Sequence, residues 1–384
     1  MNFETFSFPS NILAGISAAG YTIPTPIQIQ AIPKVMQGCD LMGLAQTGTG
    51  KTAVYVLPIL HRLLHGKQRG VRALVVAPTR ELAEQIHQDI EVLGSRTGLR
   101  SVAVYGGVGI QPQVASLKKA DIVVACPGRL LDHVSRRTVD LSNVEVLVLD
   151  EADQMFDMGF LPDIRRILTH LPPSNRQNLL FSATMPAQIR RLADQILHNP
   201  IRVQVGHEAP ADTVNHVFYP VARHLKTALL LELLGSTSTD AVLVFTRTKH
   251  RAKKLGVKLA KAGYRSTSLQ GNLSQSQRQK AMDGFKSGKF QVLVATDIAA
   301  RGIDVSNVSH VINYDMPSTP EHYIHRIGRT GRAERTGEAF TLITDEDKQM
   351  IKAIHGTIGM PVEQRTLATF DYQALQQRVG NKSR

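Results

Sequence analysis

The sequence predicts an α/β fold of two tandem domains, each a mainly parallel sheet flanked by helices. Three observations lead there. At 384 residues the chain is long for one hydrophobic core and comfortable for two. Short apolar runs of four to six residues alternate with amphipathic stretches almost throughout. That alternation is the pattern of parallel strands joined by crossover helices. Polar or small residues follow most of the runs, and in open α/β sheets the carboxyl ends of strands carry the ligand sites.

In the first half the runs fall at 73–77, 121–125, 144–149 and 178–181. They end in Pro78-Thr79-Arg80, Cys126-Pro127-Gly128-Arg129, Asp150-Glu151-Ala152-Asp153 and Ser182-Ala183-Thr184. In the second half they fall at 241–245, 291–295, 310–314 and 339–343. Around 206–212 the chain turns polar and proline-containing, without a strong period, which reads as a linker. The expected organisation is an N-terminal domain at 1–206, a linker at 207–217, a C-terminal domain at 218–366 and a basic polar tail at 367–384.

Composition narrows the class. No run of about 18 apolar residues occurs, so no membrane-spanning helix is expected. The first residues lack a basic stretch and an apolar core, which argues against a secretory signal. Cys39 and Cys126 are the only cysteines, too few for a structural zinc site and in keeping with a reducing cytoplasm. Fourteen histidines are scattered without a metal-ligating constellation. A net charge of +13 favours a polyanionic partner, although charge alone does not separate RNA, DNA and acidic membrane.

Two segments describe a nucleotide site. The loop Ala45-Gln46-Thr47-Gly48-Thr49-Gly50-Lys51-Thr52 has the glycines that let backbone N–H groups turn inward around phosphate oxygens. Lys51 is placed to neutralise β and γ charge, and the Thr52 hydroxyl to ligate Mg²⁺. About a hundred residues later a buried strand ends in an acidic cluster, with Asp150 as the metal partner and Glu151 as the group that orients or deprotonates the attacking water. Two acids at a helix N-terminus are also favoured by the helix dipole, but that does not account for the matching loop. Upstream, Gly20-Tyr21-Thr22-Ile23-Pro24-Thr25-Pro26-Ile27-Gln28 precedes a helix expected around 29–36. Gln28 can present donor and acceptor to an adenine edge and Tyr21 can stack on its face; the plainer alternative is a proline-rich turn. Arg329 and Arg332, spaced by three in a glycine-containing turn-to-helix stretch, can converge on one anion or form a basic helix face.

Together these segments resemble the DEAD-box RNA helicases of superfamily 2, with a compact layout similar to the bacterial RhlE-like group, from about Phe3 to about Thr366. The resemblance implies two RecA-like domains with ATP and RNA bound in the cleft between them. It makes Gly20 to Gln28 a Q motif, with Gln28 reading adenine, and Ala45 to Thr52 the family's phosphate loop. Asp150 to Asp153 is then motif II. Ser182 and Thr184 belong to motif III, which in the family bonds to motif II and couples hydrolysis to unwinding, with Asp153 among the coupling residues. Thr296 to Asp304 resembles motif V, with Asp304 on the ribose. His325 to Arg332 resembles motif VI, with His325 in coupling and Arg329 and Arg332 as fingers that reach the γ-phosphate.

The resemblance also implies an RNA track. Thr79 and Arg80 lie in motif Ia, Gly106 and Gly107 in the double-glycine element, Gly128 and Arg129 at the end of motif Ib. Arg247 lies in motif IV, Gly271, Gln275 and Arg278 in the element after it, and Thr296 opens motif V. These residue types suit backbone phosphates rather than bases. Tryptophan is absent and few aromatics interleave, which speaks against a stacking platform. One departure is Cys126, where the family usually has Thr. A thiol is a poor donor, leaving its backbone N–H as the expected contribution.

The expected activity is that of an RNA-stimulated ATPase that locally separates short duplexes or remodels RNA–protein complexes, using ATP and Mg²⁺ in the cytoplasm. Ribosome-assembly or RNA-decay proteins are candidate partners. Two rivals remain: a nucleotide-gated RNA clamp or assembly scaffold, and a DNA-directed motor of the same superfamily.

Overall fold

The computed structural model describes residues 2–45, 48–65, 70–205, 214–237, 240–300, 308–330 and 337–373. The chain divides into two units on either side of residue 206.

Seven strands build the first unit: β1 Leu41–Leu44, β2 Ala73–Val76, β3 Ser101–Val104, β4 Ile122–Ala125, β5 Val146–Leu149, β6 Gln177–Ser182 and β7 Ile201–Gln204. They lie in the order β3-β4-β2-β5-β6-β1-β7 and every pairing is parallel. Seven more build the second: β8 Val214–Pro220, β9 Val242–Phe245, β10 Ser266–Leu269, β11 Val292–Ala295, β12 His310–Asn313, β13 Gly337–Ile343 and β14 Glu363–Gln364. Their order is β10-β11-β9-β12-β13-β8-β14, again parallel. The central strands are buried on both faces between helices, which is why they read as continuous apolar runs.

Register places the functional loops. Leu44 pairs with Ser182, and Leu149 pairs with both Val76 and Leu180. The segments leaving β1, β2, β5 and β6 therefore emerge side by side at one edge of the sheet.

The sequence pattern missed six strands. β3, β7, β10 and β14 are edge strands with polar or mixed faces, so they need no apolar run. β8 alternates exposed and buried positions at its start. β1 is interrupted by Gly43, and the fold requires that glycine: a Cβ there would lie 2.5 Å from the Phe181 ring.

Two boundaries differ from the sequence reading. Residues 214–217, expected in the linker, begin β8 and hydrogen-bond along β13. Within the expected tail, Leu367, Phe370 and Tyr372 pack on the core of the second unit, and the Leu367 N–H donates to the Tyr372 hydroxyl at 3.1 Å. Apolar side chains at the end of a polar segment hold it down. The helix expected around 29–36 starts earlier, as Pro26–Met36, because Thr25 and Gln28 form a capping box and Pro26 occupies its first turn. Among the described residues no helix is long and apolar enough to cross a membrane.

Candidate functional site: a phosphate loop, an acidic strand end and arginine-lined turns

The loop after β1 turns through Gly48 and Gly50, both at φ 88°, a backbone conformation that suits glycine. Gly50 caps the helix Lys51–Leu64, so free helix N–H groups face the loop. Gln46 and Thr47 lie outside the described residues. Lys51 is buried and its ammonium donates to the Ala45 carbonyl at 2.8 Å. Two tethers tie the loop to the preceding helix: the Thr25 hydroxyl donates to the Thr49 carbonyl at 2.9 Å, and the Gln28 amide to the Gly50 carbonyl at 3.1 Å. The Gln28 carbonyl accepts from the Thr25 N–H at 2.9 Å and keeps a second lone pair. Tyr21 is half-exposed, with one face against Phe3 at 6.1 Å between ring centres.

The acidic cluster is fixed by hydrogen bonds from three directions. Asp150 is buried; its Oδ2 accepts from the Tyr55 hydroxyl at 2.9 Å and its Oδ1 from the Glu151 N–H at 2.9 Å. Burial first, and the Asp150 charge second, raise the Tyr55 pKa well above its ordinary value, so the phenol stays protonated and donates. Glu151 is buried and sits at φ 51°, a sparsely populated conformation for a non-glycine residue and a form of strain that gathers at functional sites. Asp153 Oδ2 accepts from both the Thr184 N–H at 2.9 Å and the Thr184 hydroxyl at 3.0 Å. The Asp153 N–H donates to the Ser182 hydroxyl at 3.3 Å, which donates onward to the Thr184 carbonyl at 2.7 Å. The segments expected to communicate are thus joined directly.

The donors present suit Mg²⁺. This hard cation takes oxygen ligands and is commonly held by one or two protein groups, with substrate phosphates and water completing the shell. Thr52 and Asp150 are oxygen donors, and Tyr55, on the helix that carries Thr52, bonds to Asp150. Among the described residues no group of three or more His, Cys, Asp or Glu forms a self-sufficient metal cage.

Further along the same sheet edge, the residues expected on the RNA track come together in part. Thr79 is buried and caps the helix Arg80–Leu93, its hydroxyl accepting from the Leu82 N–H at 3.2 Å. Arg80 and Arg129 converge on the double glycine: a Cβ on Gly106 would lie 3.8 Å from both guanidinium groups, and one on Gly107 would lie 2.0 Å from Arg80. Arg129 donates to the Val108 carbonyl at 3.1 and 3.2 Å, and Gly128 is exposed beside it.

The Cys126 expectation is corrected. Its backbone N–H donates to the Val104 carbonyl at 2.9 Å, extending the sheet ladder, and so is engaged inside the protein. Burial, and then the nearby Glu81 charge, push the thiol up to about 12.

In the second unit Arg247 is exposed and anchored by its N–H to Asp315 Oδ2 at 2.9 Å. Gly271 is exposed, Gln275 opens the helix Gln275–Lys286, and Arg278 donates to the Ala299 carbonyl at 3.4 Å. Thr296 follows β11, and its carbonyl accepts from the Ala300 N–H at 2.9 Å. His325 lies in the helix Pro320–Ile327, and the buried Arg329 lies in the turn after it. Asp304 and Arg332 lie outside the described residues.

Sequence reasoning missed Arg326. It is buried and forks onto Asp297 at 2.6 and 2.8 Å, with further bonds to Asn313 Oδ1 at 3.0 Å and the Asp315 carbonyl at 2.7 Å. Its guanidinium also lies 5.0 Å from the centre of the Phe245 ring. The available signal was Asp297, a carboxylate directly after a strand, together with an arginine between His325 and Arg329.

Comparison with known proteins adds a separate line of evidence. Residues 25–192 match the DEAD/DEAH box helicase family, and residues 225–334 match the helicase conserved C-terminal domain. The chain is 42% identical to the DEAD-box ATP-dependent RNA helicase CshA of Bacillus subtilis, over 97% of this chain and 75% of that protein. It is 45% identical to the DEAD-box ATP-dependent RNA helicase RhpA of Helicobacter pylori, over 91% of this chain and 71% of that one. Among solved structures, S. cerevisiae Dbp5 bound to RNA and ADP BeF3 superposes with a TM-score of 0.86 at 31% identity, covering 95% of each chain.

Proposed function

Because the chain belongs to the DEAD-box family and is an ATP-dependent RNA helicase built on two RecA-like domains, we propose a division of labour among its residues. Gly48, Thr49, Gly50 and Lys51 cradle the triphosphate, together with Gln46 and Thr47, while Gln28 and Tyr21 receive the adenine and Asp304 the ribose. Thr52 and Asp150 hold Mg²⁺, which when bound neutralises charge on the β and γ oxygens. Glu151 orients the water and accepts its proton. Arg329 and Arg332 contribute positive charge toward the transferring phosphoryl group. Asp153, Ser182, Thr184 and His325 transmit the nucleotide's presence to the RNA-binding residues.

For RNA we propose backbone recognition with weak sequence preference by Thr79, Arg80, Gly106, Gly107, Gly128, Arg129, Arg247, Gly271, Gln275, Arg278 and Thr296. Main-chain approach at glycines and guanidinium contact with phosphates carry no base information. The two-cysteine, basic composition supports a cytoplasmic setting, with ribosome-assembly or RNA-decay proteins as candidate partners.

The observation that supports this reading most is the bonded chain from Asp153 through Ser182 to Thr184 beside Asp150. It joins the acidic cluster to the neighbouring strand end. The test separates binding from chemistry. Lys51→Ala should abolish ATP binding, because the triphosphate loses its main cationic partner. Glu151→Gln should keep binding and lose about 10²–10⁴ in turnover, since an amide cannot accept the water's proton. Nucleotide binding and steady-state ATPase measure the two; equal loss of affinity in both variants would contradict the assignment.

A further inference from the structure

We propose that Tyr55 is a positioning residue for the metal–nucleotide site, its phenolic hydroxyl fixing the direction in which Asp150 presents its remaining lone pairs. The inference rests on the assignment of Asp150 to Mg²⁺ and adds a residue that the loop and acidic motifs do not contain.

Tyr55 lies on the helix Lys51–Leu64, three residues after Thr52 and so on the same face. It is fully buried, and its ring packs against Phe181, 5.3 Å away between ring centres at 51°. That packing leaves the ring little freedom. The hydroxyl reaches Asp150 Oδ2 at 2.9 Å, and the Glu151 N–H holds Oδ1 at 2.9 Å. Each carboxylate oxygen accepts along two lone-pair directions. With one direction on each oxygen taken inside the protein, the free pair is aimed rather than mobile. A buried phenol that gave up this bond would lose its partner away from water, so the arrangement is self-enforcing. Removing the hydroxyl should let the carboxylate rotate and lower its affinity for the cation while leaving the nucleotide's own contacts in place.

The experiment titrates Mg²⁺ against binding of a fluorescent N-methylanthraniloyl ADP to the full chain, with EDTA as the metal-free reference. Tyr55→Phe keeps the ring and removes only the oxygen. It should need about tenfold more Mg²⁺ for half-saturation, the scale of loss when a ligand's hydrogen-bond partner is removed. Its affinity in EDTA should match wild type, and kcat should fall more than KM rises. Phe181→Leu loosens the same packing and keeps the hydroxyl, so it should lower the melting temperature and shift the Mg²⁺ requirement less than Tyr55→Phe does. Asp150→Asn tests the reading beneath. If it shifts the Mg²⁺ requirement and Tyr55→Phe does not, Tyr55 has no positioning role. If neither shifts it, Asp150 does not face the metal and the inference falls with that assignment. Equal losses with Mg²⁺ and in EDTA for Tyr55→Phe would make Tyr55 a packing residue only.

Discussion

Asp150 and Asp153 in the first unit accept from neutral donors, whereas in the second unit Arg326 is held by an acid. Asp150 takes bonds from a phenol and a peptide N–H, and Asp153 from a threonine's hydroxyl and N–H. Arg326 is gripped by both oxygens of Asp297, then by Asn313 and a main-chain carbonyl. A carboxylate held by neutral donors keeps its charge for a cation that arrives later. A guanidinium forked onto a carboxylate is already neutralised where it sits. The contrast sorts the motif VI arginines: Arg326 ties the segment after β11 to the helix Pro320–Ile327, which fits the proposal that the arginines after it act on phosphate.

The largest effect should come from breaking the neutralised pair. Arg326→Ala removes a buried guanidinium and its bonds to the half-buried Asp297, to Asn313 and to the Asp315 carbonyl, a loss of about 1.5–3 kcal/mol. Denaturant unfolding of the second unit would measure it. Arg326→Lys should recover only part of the loss, because an ammonium cannot reproduce the fork. Stability close to wild type in both variants would remove the scaffold role.

A smaller effect, of a different kind, is expected on the neutral-donor side. Ser182→Ala combined with Thr184→Ala removes the hydroxyls between Asp153 and the strand end but no charge. Strand separation should weaken more than RNA-stimulated ATPase, by about tenfold if each of the three lost bonds contributes about 0.5 kcal/mol. Parallel loss of both activities would mean that the hydroxyls serve chemistry and not coupling. The smallest effect should be at Arg129, which shares its guanidinium with the Val108 carbonyl and lies 3.6 Å from Asp132. Arg129→Ala should weaken unrelated RNA sequences about equally and flatten the salt dependence by about one unit of log–log slope. Selective loss of one sequence would make Arg129 a base reader.

The residues that the sequence concealed share a physical cause. Strands such as β5 and β11 are buried on both faces, and burial writes itself into composition. Gly43 broke the pattern of β1 because its reason for being glycine is the Phe181 ring on β6, far along the chain. Tyr55 sits at a core spacing in an apolar helix and is indeed in the core; only its partner, 95 residues away, gives its oxygen a task. Arg326 likewise depends on Asp297, 29 residues earlier. A bond between motifs II and III was expected because both are recognisable, and the structure makes it through Asp153; Tyr55 stands outside the motif carrying its partner. The N–H of Cys126 was left open to RNA because a sequence does not say where the sheet ladder ends, and here it continues one residue beyond β4 to Val104.

That buried sulfur has a practical side. With its pKa pushed up by burial, Cys126 stays a thiol at pH 7, and the thiolate is the form that alkylating and oxidising reagents attack. A maleimide dye should pass it over on the timescale of an ordinary labelling reaction. Fluorescence experiments on the helicase cycle can therefore keep the native residue at 126, replace Cys39, and introduce reporter cysteines on exposed helices of each unit.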